Sequence, residues 1–276
     1  MKKYQLTLLS LCVAAFAQAK VTLPSFFTDN MVIQQNSQLT LPGKAKAGKQ
    51  VTVKVSWNYE KYTAKASADG HFSIEVPTPP AGGPFQITVS DGEKLVLNNV
   101  LSGEVWICSG QSNMEMPVAG WGKVMNYEQE VADADYPSIR LLQVKKTVAF
   151  SPQDNVEMNM NGWQECSSAT VPEFSSVAYF YARKLWKELN VPVGVIDCTW
   201  GGTPAESWTS HQTLKQVMGF QKKMAEMESA GFQREKLVEL YHQEMDEWLQ
   251  QFDARDAGFK DGVPQWISAL QTCLLY

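Results

Sequence analysis

From Lys20 to about Leu101, apolar and polar residues alternate in short runs. Val51-Thr52-Val53-Lys54-Val55-Ser56-Trp57 has the period of two expected of a half-buried strand. Comparable runs follow at His71–Val76, Phe85–Ser90 and Leu95–Leu101. Turn signals separate them at Ala68-Asp69-Gly70, at Pro77 to Pro84 around Gly82-Gly83, and at Asp91-Gly92. Short strands at this spacing predict a small all-β sandwich over 20–102.

At Gly103 the pattern changes. Val105–Cys108, Ile139–Val144 and Val193–Cys198 are continuous apolar runs, as expected of strands buried on both faces. Between the second and third, Ser175 or Ser176 can cap a helix whose apolar face carries Val177, Tyr181, Leu185 and Leu189, widened by Phe180 and Trp186. Pro192 ends that helix. Strands alternating with helices predict a parallel α/β sheet over 103–276, with helices on both faces. A further helical stretch, about 212–252, reads as an insertion: Leu214, Val217, Phe220, Met224 and Met227 keep helical spacing, as do Leu237, Leu240, Met245 and Trp248. Its methionines read as packing, and its dense charge as a solvated face.

The first twenty residues fit neither pattern. Lys2 and Lys3 precede a mostly apolar Leu6 to Phe16, and Ala17-Gln18-Ala19 has the small-x-small form of a cleavage site. Residues 1–19 are predicted to be a signal peptide, with export of the mature protein to the periplasm or the outside. The apolar stretch is shorter than the roughly 20 residues of a membrane span, so no span is predicted. The net charge of −5 is mild and no basic stripe occurs, which argues against nucleic acid. Cys108, Cys166, Cys198 and Cys273 are far apart, giving little support for zinc. Cys108 and Cys198 sit in apolar runs and read as buried free thiols. Nine tryptophans hint at sugar, since indole faces stack on apolar sugar faces.

The candidate chemistry lies where predicted strands run out. Cys108-Ser109-Gly110-Gln111-Ser112-Asn113-Met114-Glu115-Met116 places Ser112 just past a glycine turn. Such a turn holds a side chain at the carboxyl edge of the sheet, where open α/β folds bind ligands. Alone this is a weak signal, and the Gly-x-Ser-x-Gly elbow is absent because Met114 replaces the second glycine. A second strand ends in Trp200-Gly201-Gly202-Thr203-Pro204-Ala205-Glu206-Ser207-Trp208, a loop able to aim bare amides at a ligand. A hydroxyl from one strand end and amides from the other form the start of an acyl-transfer site.

At these two segments the sequence resembles the sialate O-acetylesterase family of the SGNH hydrolases. Leu23-Pro24-Ser25-Phe26-Phe27-Thr28-Asp29-Asn30-Met31-Val32-Ile33-Gln34 and Ala81-Gly82-Gly83-Pro84-Phe85 resemble that family's leading β-sandwich. The resemblance implies a flavodoxin-like SGNH sheet and hydrolysis of O-acetyl esters on sialic acid or related sugars, without metal or organic cofactor. It implies Ser112 as nucleophile, with oxyanion-hole donors at the Ser112 amide and at Gly202 or Gly201. Gln111 and Asn113 would touch substrate or shape the turn by bonding local backbone.

Two family motifs are missing. Neither Gly-Glu-Ser-Asn, the third oxyanion donor, nor the late Asp-x-x-His that supplies the base occurs. The three histidines, His71, His211 and His242, match no family motif. Three sheet strands are few for such a sheet, and Trp266–Tyr276 is largely apolar. The expectation is therefore a front portion of a longer esterase with an incomplete sheet, weak or inactive alone. The alternatives are a secreted carbohydrate-binding module without catalysis, or an acetyl esterase acting on plant polysaccharide.

Overall fold

The computed structural model describes residues 20–149, 153–231 and 233–251. The predicted signal peptide and the apolar Trp266–Tyr276 lie outside these. The described residues up to Gly110 form strands and no helix: β1 (Val32–Gln34), β2 (Gln38–Lys44), β3 (Gln50–Val55), β4 (Lys61–Lys65), β5 (His71–Pro77), β6 (Gly82–Ser90) and β7 (Lys94–Gly110). Strands β2 and β5 form an antiparallel pair, while β4, β3, β6 and β7 run in that order in a second sheet, with β1 added parallel to β7. The alternation in β3 and β5 sends Val51, Val53, Val55, Phe72, Ile74 and Val76 into a shared core with Leu41, Ile87 and Val89.

Strand β7 is the hinge of the architecture. The two runs predicted separately at Leu95–Leu101 and Val105–Cys108 are one strand of 17 residues. Its first half belongs to the β-strand assembly. Its second half pairs in parallel with β10 (Val193–Thr199), which pairs in parallel with β8 (Asp135–Gln143). The sheet is mixed rather than wholly parallel, because β9 (Gln164–Ser167) adds antiparallel to β8. Its sequence, Gln164-Glu165-Cys166-Ser167, has no apolar run to announce it.

One face of this sheet is covered by helix. Cys108, Ile139, Leu141, Val193 and Val195 pack against α3 (Ser176–Leu189). Ser175 caps that helix as expected, its hydroxyl accepting the Ala178 amide at 3.1 Å. The buried side is only partly the predicted one: Phe180, Leu185 and Trp186 pack against the sheet core as expected, but the most deeply buried positions are others. Ala178, Tyr179 and Ala182 face the sheet, while Val177, Tyr181 and Leu189 are exposed. Small alanines one turn apart let the helix backbone approach the strands, which the bulkier stripe would prevent.

The expectation of helices on both faces also changes. On the second face, Val105, Leu142 and Ile196 join the core of the β-strand half, with Trp163 buried between. The predicted helical stretch is broken into α4 (His211–Leu214), α5 (Gln221–Ser229) and α6 (Arg234–Gln251). Gly219 and Gly231, at φ 98° and 61°, turn the chain between them. The remaining helices, α1 (Ser112–Glu115) and α2 (Tyr127–Ala132), follow β7. No described helix is long and apolar enough to cross a membrane.

Candidate active site

Strand β7 stops at Gly110, whose φ of 141° suits glycine. The chain then turns into α1, a single helical turn in which the Met114 and Glu115 amides bond the Gln111 carbonyl. Ser112 opens that turn and is half-buried. Its hydroxyl lies 3.3 Å from Gln111 Oε1. The turn is anchored from below: the Ser175 hydroxyl donates to the Met114 carbonyl at 2.6 Å, and the Ser176 amide to the Met116 carbonyl at 2.8 Å. The residue that caps α3 thus also fixes the serine turn.

The two predicted segments come together at one edge of the sheet. The Trp200 amide bonds the Gly110 carbonyl at 2.9 Å, extending the β7–β10 pairing into the turns. Gly201 then lies against Ser112, and a Cβ built on it would stand 3.1 Å from the Ser112 hydroxyl oxygen. The loop is braced by Thr203, whose hydroxyl donates to the Trp200 carbonyl at 2.6 Å and accepts the Trp208 indole N–H at 2.8 Å.

The two glycines differ in what their amides do. The Gly201 amide donates to Glu115 Oε2, and Glu115 Oε1 pairs with the Lys146 ammonium. Gly202 has φ 80°, and its amide has no hydrogen bond among the described residues. Of the two candidate donors, only Gly202 is uncommitted. Gln111 and Asn113 are both exposed on the serine turn. Gln111 contacts the Ser112 hydroxyl through its own amide oxygen.

Two clefts meet at Lys146 and Thr199 beside this turn. One is walled by Glu115, Trp121, Glu173 and Asp197, the other by Val148, Cys198, Trp200 and Trp208. Ser112 stands next to these walls rather than in them. Asp197 is buried, and desolvation raises its carboxyl above the ordinary aspartate range. The Thr199 hydroxyl at 2.6 Å and Gln143 Nε2 at 3.1 Å partly offset this. Burial pushes the Cys108 thiol up to about 11 and Cys166 up to about 12, so both stay protonated and poorly nucleophilic at neutral pH.

No described histidine bonds Ser112. His71 stands near Asp69 in the β-strand half, and His211 Nε2 lies 2.9 Å from Glu228 Oε1. His242 is exposed on α6. Sequence reasoning had passed over Glu115, Lys146 and Asp197. A carboxylate three residues past a candidate serine was the signal available for Glu115. For the other two, the signal exists only in three dimensions.

A mixed α/β sheet with helices, bearing a serine turn and a double-glycine turn at one edge, is the class of protein that fold and site define. A family model described as carbohydrate esterase, sialic acid-specific acetylesterase, matches residues 102–272, and the chain belongs to that family. The sialate O-acetylesterase of Pongo abelii is 34% identical over 209 residues, covering 69% of this chain and 39% of that protein. The Homo sapiens protein of the same name is 33% identical, with the same coverage. A crystal structure of a carbohydrate acetylesterase from Xanthomonas citri matches with a TM-score of 0.64 and 32% identity, over 70% of this chain and 43% of that one. The chain spans about 39% of the length of the curated relatives it matches.

Proposed function

We propose that this chain carries the nucleophile of an exported serine esterase that removes O-acetyl groups from sialic acid or related sugars. In this reading residues 20–102 are an accessory β-sandwich and residues 1–19 a signal peptide cleaved near Ala19. The Ser112 hydroxyl attacks the acetyl carbonyl, and the oxyanion is met by the Ser112 and Gly202 amides. The sugar hydroxyl leaves with a proton, and water then releases acetate from the acetyl-enzyme. Family membership supports the ester chemistry. The observation that carries the reading is the juxtaposition of Ser112 with Gly201, the first glycine of the double-glycine turn.

A serine hydroxyl needs a base within hydrogen-bond reach, and His71, His211 and His242 are all placed elsewhere. The base is therefore assigned to none of them, and this chain alone is expected to react slowly. Free imidazole should substitute for it. The test is mass spectrometry after exposure to a reactive organophosphonate. A slow adduct on Ser112 is expected, accelerated by imidazole and absent in Ser112→Ala. No Ser112 adduct even with imidazole would overturn the proposal. Acetate release from an acetylated sialoside and an acetylated polysaccharide, both with imidazole, then separates the candidate sugars. Binding of either sugar without any release would favour a carbohydrate-binding module.

A further inference from the structure

We infer that Glu115 is a positioning residue that clamps the double-glycine turn against Ser112 and leaves the Gly202 amide as the one that faces the reacting carbonyl. The inference rests on the reading of Ser112 as nucleophile. Its geometric part stands apart from that reading and can be measured separately.

Strands β7, β10 and β8 lie side by side in that order. The chain leaving β7 supplies Ser112 and Glu115, that leaving β10 supplies Gly201, and that leaving β8 supplies Lys146. Glu115 reaches across all three: one carboxylate oxygen accepts the Gly201 amide and the other the Lys146 ammonium. Its side chain is 15% exposed, so water competes weakly for those oxygens. A single carboxylate thus crosslinks three consecutive strand ends, and the bonds to it are of the stronger, charge-assisted kind.

This arrangement has two consequences for chemistry at Ser112. An amide already bonded to a carboxylate cannot also stabilise an oxyanion, so Gly201 is held as structure and Gly202 is presented. A bare carboxylate so near would also oppose negative charge developing on the substrate. Lys146 cancels that charge. Glu115 and Lys146 therefore act as a neutral pair, fixing the turn without imposing a repulsive field on the site.

The experiment uses glycine-labelled chain and two readouts. Amide hydrogen exchange, followed by NMR, is expected to be slower at Gly201 than at Gly202. Glu115→Ala should remove at least about tenfold of that protection, while Glu115→Gln, which keeps an accepting oxygen, should retain most of it. Imidazole-assisted labelling of Ser112 should slow on the order of 10- to 100-fold in Glu115→Ala, below the loss from deleting an oxyanion donor outright. In Glu115→Gln it should stay within about threefold of wild type. Should Glu115→Ala not fold, Lys146→Met carries the test. It should slow labelling by leaving the carboxylate unbalanced, and adding Glu115→Gln should restore the rate.

Equal exchange at the two glycines in the wild type would overturn the clamp, as would a Gln variant as impaired as Ala, or a double variant no faster than Lys146→Met. Failure of Ser112 to label in the wild type would instead sink the nucleophile reading, with the exchange data still deciding the clamp.

Discussion

Gly201 packs against Ser112 so closely that a methyl group on it would lie 3.1 Å from the serine hydroxyl oxygen and 2.5 Å from Glu115 Oε2. Glycine is required there by space. At Gly202 the requirement is different: nothing lies within 4 Å of a built Cβ, but φ is 80°. Gly201→Ala should therefore displace the serine turn, costing about 1–3 kcal/mol of stability and slowing Ser112 labelling on the order of 100-fold. Gly202→Ala should cost about 1–2 kcal/mol from left-handed strain with a smaller loss of reactivity, since its amide remains. Urea melts and labelling rates on both variants check this, and the opposite ranking of reactivity would contradict it.

Asp197 makes stability depend on pH in an unusual direction for a carboxylate. Burial is the chief cause that raises its folded pKa above the ordinary aspartate value. The folded chain then holds this proton more tightly than the unfolded one. The stabilisation it brings is complete below the unfolded pKa and is lost as pH rises through the folded pKa. Asp197→Asn cannot titrate. The stability of wild type relative to Asn should therefore be greatest in acid and shrink as pH climbs from the ordinary aspartate range through the raised value. Paired urea melts from pH 3 to 7 measure that difference, in which the other carboxylates largely cancel.

Trp163 joins the two halves of the chain. Its indole N–H donates to the Phe26 carbonyl at 3.0 Å and its backbone amide to the Thr28 hydroxyl at 3.1 Å. Its ring fills the space above Gly194, where an added Cβ would stand 3.1 Å from Trp163 Cζ3 and 2.8 Å from Val32 Cβ. Trp163→Ala should cost about 3–5 kcal/mol. Trp163→Phe loses the hydrogen bond and part of the ring, and should cost less. Gly194→Ala approaches the same contact from the strand side and should cost about 1–3 kcal/mol through overpacking. Chemical denaturation of the three variants gives the order directly.

What the sequence made legible was local. The period-two runs of β3 and β5 and the Ser175 cap of α3 depend on neighbours a few residues away, and each was readable. The two strand-end turns were readable for the same reason. That they touch, across 89 residues, was inferred only because parallel strands of one sheet share a carboxyl edge. The face of α3 was legible in part: Phe180, Leu185 and Trp186 pack as their hydrophobicity predicts, but Val177, Tyr181 and Leu189 are exposed because close helix-to-sheet contact selects Ala178 and Ala182. Strand β9 and the buried Arg140 were invisible. The Arg140 guanidinium is satisfied by Glu165 at 3.1 Å and by the Pro137 carbonyl at 2.7 Å, partners that only the folded sheet assembles.

The exposed part of that stripe has a physical consequence. Beyond Gly103, β7 pairs with β10 on one side, while on the other β1 ends at Gln34, whose side-chain oxygen caps the Val105 amide at 3.0 Å. The amides of Ile107 and Ser109 on that side have no hydrogen bond among the described residues. Ile107 is 69% exposed and Trp106 42%, with the Trp106 ring edge-on to Tyr181 at 5.2 Å. An unpaired strand edge flanked by apolar side chains is a template for pairing with another chain. Purified chain should therefore self-associate with rising concentration. Ile107→Lys, which places a charge on the edge without touching the Ser112 turn, should shift sedimentation toward monomer while leaving the unfolding midpoint of the monomer nearly unchanged. A monomeric wild type at high concentration would show that this edge is protected after all.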